Sequence, residues 1–153
     1  MTMVLRAYEP RDFAALYRID QACYPRGIAY SKITLRWFLG LAGAECLVAE
    51  IAGESSGFIL AEKHPPLAHI ITIDVIEGER RNGVGSAMVK AIETNLAQHS
   101  VRFIVLETAT NNEPAVAFWK KHGYRVEGVL KRYYLGRLDA YEMKKVLLPT
   151  KEI

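Results

Sequence analysis

The stretch GERRNGVGSAM, residues Gly78–Met88, places two arginines and two closely spaced glycines directly after the apolar run Ile70–Ile76. That run is rich in β-branched residues, which is typical of a strand covered on both faces. After the glycines, apolar residues recur along one helical stripe: Val84, Met88, Ile92 and Leu96. A strand, a glycine turn and a helix bind phosphate well, because backbone N–H groups and the helix dipole face the anion. The sequence therefore predicts a phosphate-binding turn here.

Two of three phosphate-binding templates fail on this stretch. Gly78 and Gly83 fit the GxxxxG of a P-loop, but the chain continues Val-Gly where Lys and Ser or Thr must follow. A dinucleotide fingerprint that starts at Gly83 would need a third glycine where the chain has Met88. The third template, R/Q-x-x-G-x-G/A, is filled by RRNGVG at residues 80–85. On this motif alone, a glycine-rich turn that binds no ligand is the alternative.

The rest of the chain predicts one α/β domain over residues 1–153, because no repeat or linker interrupts it. The other predicted elements are a strand at Val4–Tyr8, helices from Pro10 and from Ser31, two strands around a Gly53–Ser56 turn, a strand in RFIVLETA, a helix at Pro114–His122, and strands at Tyr124–Leu130 and Ala140–Leu147. The resulting order, β-α-α-β-β-β-α-β-α-β-β, is not a regular βαβ repeat and indicates a mixed sheet.

The composition is that of an ordinary folded domain. Half of the residues are hydrophobic, 24% are charged, and the net charge of +3 is too small to indicate nucleic-acid binding. Cys23 and Cys46 form no CxxC motif, and the four histidines lack the spacing of metal ligands, so we expect no metal. No apolar run approaches the roughly 20 residues that span a bilayer. We therefore expect a cytoplasmic protein that does not bind membranes.

The third template resembles the acetyl-CoA pyrophosphate loop of the GNAT N-acetyltransferases. LETATNNEPAVAFWKKHGY, residues Leu106–Tyr124, resembles that family's second signature: a strand, an asparagine, a short aromatic-bearing helix and a Gly-aromatic pair. The resemblance covers essentially the whole chain and implies the GNAT fold, a mixed, mostly antiparallel central sheet with helices on both faces. Tyr24-Pro25 and RYYLGRLDAYEM, residues Arg132–Met143, are most similar to the RimI-type protein N-terminal acetyltransferases.

This resemblance implies transfer of an acetyl group from acetyl-CoA to a primary amine, with the α-amine of a protein N-terminus as the expected acceptor. Ile73–Val75 would pair with the pantetheine amides as an added strand, and a backbone N–H near Val75 would stabilise the oxyanion. Asn112 would bind near the pantetheine arm. The implied cofactor-binding residues are Ile73, Asp74, Val75, Arg80, Arg81, Asn82, Gly83, Val84, Gly85, Ser86, Asn112 and Trp119.

Glu107 is the candidate general base. It ends the apolar run Phe103–Leu106, where burial disfavours a charged carboxylate and so suits a proton acceptor. The family also places a catalytic Glu, or a His, at this strand position. The alternative is a structural salt bridge to Arg80 or Arg81. His69 matches a position where some relatives carry a catalytic tyrosine; it either relays a proton or simply begins a strand.

Trp119 departs from the family pattern. Many members carry a tyrosine there that protonates the coenzyme A thiolate, which an indole N–H cannot do and a phenol with a pKa near ~10 can. The thiolate then leaves unassisted or through water, or Tyr133 or Tyr134 supplies the proton. The alternative role for Trp119 is the packing of an amphipathic helix. Weak or absent catalysis would instead indicate a coenzyme A-binding sensor.

The resemblance also implies an acceptor site. The implied acceptor residues are Tyr24, Pro25, Tyr133 and Tyr134, and Arg26 in the same segment is our candidate contact for an acidic side chain of the acceptor. The two late tyrosines, with neighbouring basic residues, could instead stack on single-stranded nucleic acid, but acidic residues interrupt them and no broad basic surface is predicted. A small amine is the alternative acceptor. We expect a monomer or a weak homodimer, because the last hairpin leaves an exposed edge.

Overall fold

The computed structural model describes residues 2–147; Met1 and residues 148–153 of the predicted domain lie outside the described residues. Over this part of the chain there are seven strands: β1 (Met3–Ala7), β2 (Ala44–Ile51), β3 (Glu54–His64), β4 (Leu67–Val75), β5 (Phe103–Ala109), β6 (Arg125–Tyr134) and β7 (Leu138–Val146). The α-helices are α1 (Phe13–Cys23), α2 (Lys32–Leu39), α3 (Val84–Gln98) and α4 (Glu113–Lys121). The predicted element order is confirmed.

The strands form a single sheet in the order β1-β2-β3-β4-β5-β7-β6. Only the β4–β5 pair is parallel, so the predicted mixed, mostly antiparallel sheet is confirmed. Helices cover both faces: Ile59 packs in the core beneath α3 and α4, and the next residue, Leu60, packs beneath α1 and α2. Burial on both faces explains why the central strands are almost wholly apolar. No helix within residues 2–147 is long and apolar enough to span a membrane.

The sheet opens between β4 and β5. These strands pair only over Leu67–His69 and Phe103–Val105, and beyond this point neither strand has the other as a neighbour. The register between β3 and β4 shifts beside Ile71, which is the extra residue of a β-bulge. Because a bulge bends its strand, β4 turns away from β5. A wedge between the two strands results, and it places main-chain groups of β4 at an open edge.

The last hairpin differs from the predicted one. We predicted a strand that ends at Leu130 and a loop that carries the two late tyrosines, but β6 continues to Tyr134. The pairing of β6 with β7 is irregular between Leu130 and Tyr134, and it resumes at Tyr134, which pairs with Leu138. The turn itself is short: Leu135 and Gly136 both have positive φ, 56° and 65°. The two tyrosines therefore lie on a strand end, where the sheet fixes their direction.

The β2–β3 turn is also tighter than predicted. Ala52 and Gly53 form it, with φ of 53° and 79°, and β3 begins directly afterwards. Two consecutive positive φ angles match the twist of a two-residue hairpin. The serines that we placed in the turn therefore belong to β3.

Candidate active site

A continuous cleft occupies the wedge between β4 and β5. Its inner part has a volume of about 430 Å³ and is lined by both strands, by α4 and by the chain between α1 and α2. Its outer part, about 660 Å³, extends to the start of α3. The residues that line both parts are Cys23, Tyr24, Ile73, Asn112, Ala115 and Phe118. An elongated ligand could therefore lie along the cleft from α3 to β5.

The start of α3 forms the outer end of this cleft. Gly83 precedes the helix with a φ of 80°, a left-handed conformation that favours glycine. At Gly85, an added Cβ would lie 3.3 Å from the ring of Phe118, so a glycine permits close approach of α3 and α4. No described side chain caps the first turn of α3. Its N–H groups, together with Arg80 and Arg81 in the lining, suit an anion.

Three of the predicted cofactor-binding residues direct their side chains elsewhere. Asn82 donates to Glu79 Oε2 at 3.2 Å, and the side chain of Val84 packs in the core. The Asp74 carboxylate is buried and accepts from Thr72 Oγ1 at 2.6 Å. The alternation of side chains along β4 explains why Asp74 points away from the cleft, because Ile73 and Val75 on either side of it point to the opposite face of the strand. At these positions only the main chain could contact a cofactor.

Ser86 and Asn112, two further predicted cofactor-binding residues, line the cleft, and the side chain of each is already hydrogen-bonded within the protein. Ser86 Oγ lies 2.9 Å from His122 Nε2, which joins the first turn of α3 to the end of α4. Burial lowers the pKa of His122, so this histidine is neutral at neutral pH. Asn112 Oδ1 accepts from Ala115 N and caps α4, which leaves its amide N–H groups available to a ligand.

Side chains from the end of α1 and the chain after it bind the open edge of β4. The hydrogen bonds run from Tyr30 Oη to Ile71 O at 3.4 Å, from Tyr24 Oη to Ile73 O at 3.0 Å and from Cys23 Sγ to Val75 O at 3.4 Å. The N–H and C=O of one strand residue point to the same side, so the N–H groups share this edge. We predicted that Ile73–Val75 would pair with a ligand as an added strand. The carbonyl groups of Ile73 and Val75 are already hydrogen-bonded, so their N–H groups remain for ligand carbonyls.

Glu107, His69 and Tyr133 meet at the inner end of the cleft. Glu107 Oε1 lies 2.7 Å from His69 Nε2, and Tyr133 Oη donates to the same oxygen at 3.3 Å. The cluster joins β5, β4 and β6, so the sheet places residues together that are 38 and 26 positions apart. The alternative partners of Glu107, Arg80 and Arg81, lie instead at the α3 end of the cleft.

Glu107 connects the cleft to an open surface. Its side chain is 16% exposed and lines the inner cleft, whereas His69 and Tyr133 contact it from outside the lining. The side chain of His69 is 36% exposed and Tyr133 is 48% exposed. A ligand in the cleft and a second reactant on the surface could therefore reach this carboxylate from different sides.

Both late tyrosines remain protonated at neutral pH. Burial, and then the neighbouring Glu107, raise the pKa of Tyr133. Burial, with Tyr133 and Glu107 nearby, raises the pKa of Tyr134 to about 12. Tyr134 lines the inner cleft, and Tyr133 does not. Each phenol is therefore a stable hydrogen-bond donor and a poor source of protons.

The chain between α1 and α2 covers the inner cleft. Pro25 and Ile28 line it, and Gly27 adopts a φ of 92° directly beside the β6–β7 turn. An added Cβ at Gly27 would lie 2.6 Å from Leu135 Cδ2, so the two loops touch. Arg26, which we predicted to contact the acceptor, is exposed and does not line the cleft.

Trp119 lies in both the core and the cleft wall. It is 4% exposed, packs edge-on against Phe118 and Tyr124, and lines the inner cleft. Its burial agrees with the packing role that the helical pattern suggested. An indole N–H is a hydrogen-bond donor and not an acid, so Trp119 itself provides contact area and no proton for a thiolate.

We expect Trp119→Tyr and Trp119→Phe to have the same effect. Each removes core volume, so each should lower Tm by several degrees, about 1–2 kcal/mol of stability. Neither should change kcat by more than about twofold, because the proposed packing role of Trp119 donates no proton to the reaction. Thermal unfolding and steady-state kinetics measure both effects. A rise in kcat with tyrosine alone would show instead that a missing acid limits turnover.

The sequence model described as Acetyltransferase (GNAT) family matches residues 13–124, which include both signatures and every wall of the cleft except β6 and β7. The chain belongs to the GNAT acetyltransferase family. An uncharacterized N-acetyltransferase of Methanocaldococcus jannaschii is 31% identical over 147 residues, covering 94% of this chain and 91% of the relative. An N-alpha-acetyltransferase of Sulfolobus acidocaldarius is 28% identical over 145 residues, covering 86% and 85%.

The crystal structure of the ribosomal-protein-S18-alanine N-acetyltransferase from Escherichia coli has a similar fold. It superposes with a TM-score of 0.90 at 22% identity, covering 99% of this chain and 97% of that one. The predicted GNAT fold is thereby confirmed. The similarity includes the β4–β5 region, because it covers almost the whole chain.

Proposed function

We propose that this protein transfers the acetyl group of acetyl-CoA to the α-amine of a protein N-terminus, with Glu107 as the general base. The observation that carries the proposal is the position of Glu107 between a long cleft and an open surface. The cleft suits the cofactor and the surface suits a chain end. The similarity to an N-alpha-acetyltransferase over most of both chains supports this acceptor.

The cleft provides a place for each part of acetyl-CoA. The first turn of α3, with Arg80 and Arg81, would hold the pyrophosphate through N–H groups and positive charge. The N–H groups on the β4 edge would bind the pantetheine carbonyls, with Val75 toward the α3 end of the cleft, and the N–H group nearest Glu107 would stabilise the oxyanion. Acetyl-CoA supplies a thioester carbon that an amine can attack. The thioester would then lie toward Glu107.

Glu107 would accept a proton from the acceptor's ammonium group, which frees the nitrogen lone pair for attack on the thioester carbon. His69 and Tyr133 hydrogen-bond the same carboxylate oxygen and so fix its direction. Because no residue within 2–147 hydrogen-bonds the second oxygen, it is the one free to take the proton. Attack would form the C–N bond, and the nitrogen would then lose its second proton to water. Departure of the thiolate would break the C–S bond and leave the neutral amide.

The thiolate would leave as an anion and take a proton from water. A phenol whose pKa is about 12, as at Tyr134, gives its proton unfavourably to a thiolate, for which an alkyl thiol has a pKa near ~8.5. Tyr134 is therefore proposed to shape the inner cleft, and Tyr133 to orient Glu107. Pro25, with Tyr24, would contact the first residue of the acceptor.

Thiol release from acetyl-CoA across a peptide panel tests this function. The panel varies the first two residues and includes each peptide with its α-amine blocked, together with free lysine, spermidine and an aminoglycoside. We expect release only with a free α-amine, at rates that depend on the first residues. Release with the small amines alone would replace the proposed acceptor. Binding of acetyl-CoA without release for any amine would indicate a sensor.

A further inference from the structure

Two buried aspartates meet behind the wall of the cleft. Asp20 on α1 is fully buried and Asp74 on β4 is 1% exposed, and the Asp20 carboxyl group is close enough to Asp74 to raise the pKa of Asp74. Asp20 Oδ2 accepts from the N–H of Tyr30 at 2.7 Å, and Asp74 Oδ1 accepts from Thr72 Oγ1 at 2.6 Å. The remaining oxygens, Asp20 Oδ1 and Asp74 Oδ2, are buried without a donor among the described residues.

A single proton satisfies both of these oxygens. Two ionised carboxylates would leave two buried acceptors unbonded and two like charges in contact, each of which is costly. A proton on Asp74 Oδ2 would make that oxygen a donor for Asp20 Oδ1, the other oxygen without a donor, and all four oxygens would then be hydrogen-bonded. Burial and the neighbouring Asp20 carboxylate raise the pKa of Asp74 well above its ordinary value, in agreement with this arrangement.

The surroundings of the pair hold little positive charge. The titratable groups that face it are Cys23 and Tyr24 at the end of α1, Tyr30 from the following segment, Cys46 from β2 and Arg80 from the turn after β4. Burial raises the pKa of each of these thiols and phenols, so all four are neutral at neutral pH. The Arg80 guanidinium is bound to Val75 O and Cys23 Sγ at the cleft. One carboxylate charge, not two, matches this environment.

We propose that Asp20 and Asp74 share one proton, and that this acid–carboxylate hydrogen bond holds the segment at residues 24–30 against β4 as a positioning device for the acceptor. The second half of this statement rests on the proposed function. Asp20 fixes the main chain at Tyr30, whose hydroxyl reaches Ile71 O. Asp74 fixes β4 between the two residues whose N–H groups face the cleft. The shared proton therefore joins the segment at residues 24–30, which would contact the acceptor, to β4, which would contact the cofactor.

The pH dependence of stability tests the shared proton without any substrate. The unfolded Asp74 loses its proton near pH ~3.9. The folded protein keeps this proton to a higher pH. Folding therefore takes up a proton at every pH between the pKa of Asp74 in the unfolded chain and its pKa in the folded protein. The folding equilibrium constant should then fall by up to about tenfold per pH unit as pH rises above ~5, until Asp74 ionises in the folded state. Denaturant unfolding at a series of pH values measures this slope.

Asparagine variants identify the source of the slope. In Asp74→Asn an amide N–H replaces the shared proton and donates to Asp20, and in Asp20→Asn it donates to Asp74. Each variant should fold, and its folding should take up as much as one proton fewer than folding of the wild type. The control Glu127→Gln, on exposed β6, should fold with the same proton uptake as the wild type. The infrared band of a protonated carboxyl should be present at neutral pH in the wild type and absent in Asp74→Asn. An unchanged slope in both asparagine variants, or no protonated carboxyl in the wild type, would overturn the proposal.

Kinetics test the positioning role. As pH rises through the ionisation of the pair, the KM of the wild type for the acceptor should increase several-fold more than that of Asp74→Asn, with little difference in kcat. Equal pH profiles for the two proteins would overturn the positioning role and leave the shared proton intact. If no amine is acetylated, the proposed function fails, but the pH slope and the infrared band still decide whether the proton is shared.

Discussion

Replacing Glu107 with glutamine is expected to lower kcat by about 100-fold to 10,000-fold, the range for loss of a general base. The amide cannot accept a proton, although it keeps the size of the side chain. It also keeps an oxygen for the hydroxyl of Tyr133, so the inner cleft should retain its shape. The Kd for acetyl-CoA should change little, because the carboxylate lies at the reacting end of the cleft. Steady-state kinetics with the best peptide and direct binding of acetyl-CoA measure both quantities.

Glu127→Gln provides the matched control for this variant. It makes the same chemical change on the exposed face of β6, away from the cleft lining, and should leave kcat unchanged. Full turnover by Glu107→Gln at neutral pH would remove Glu107 from the role of base. A loss of acetyl-CoA binding in parallel with the loss of kcat would assign Glu107 to binding instead.

Replacing Gly85 with valine is expected to weaken acetyl-CoA binding by about tenfold or more, at least ~1.4 kcal/mol. Its Cβ would lie 3.3 Å from the ring of Phe118, which must then shift, and the methyl groups would enter the outer cleft. A side chain here also keeps a ligand away from the N–H groups of α3. The Kd should rise more than kcat falls, because the change is distant from Glu107.

Gly78→Ala is the control for the loop. Gly78 lies in the same loop, just before the motif, but an added Cβ meets nothing within 4 Å there and the residue does not line the cleft. We expect its Kd for acetyl-CoA to equal that of the wild type. Calorimetric titration of both variants, with Tm to confirm folding, separates the two positions. Equal Kd values for Gly85→Val and the wild type would mean that the cofactor does not bind at this end of the cleft.

The fold was predictable because local signals agree with the global structure. The β-branched run of β4, the left-handed glycine at 83 and the stripe of α3 each specify one element, and their succession specifies the turn between them. The start of α4 was also evident, since a side-chain oxygen before a proline-containing first turn is a common helix start. These features depend on residues close together in the sequence.

The details of the site were less predictable because they depend on distant contacts. Sequence reasoning proposed His69 and Glu107 separately, but only the parallel pairing of β4 with β5 shows that they touch. It missed Tyr30, whose hydroxyl reaches β4, because a lone tyrosine before a helix cap has no distinctive pattern. It also assigned Asp74 to the cofactor side, and the strand turns that side chain toward Asp20.

The bulges explain the remaining differences. A bulge changes which residues face a partner, and a single sequence gives little indication of its position. The bulge beside Ile71 opens the wedge, and the irregular pairing of β6 places Tyr133 on a strand beside Glu107. The bulge in β4 and the irregular pairing of β6 thus shape the end of the cleft beside Glu107, and neither could be predicted from local propensity.

Tandem mass spectrometry of a single product tests the central claim most directly. A peptide with a free α-amine and one internal lysine is incubated with acetyl-CoA and the protein, and the acetylated position is then read from the fragments. We predict one acetyl group, on the α-nitrogen, and its absence from the reaction with Glu107→Gln. An acetyl group on the lysine side chain, or equal acetylation with and without the protein, would contradict the account.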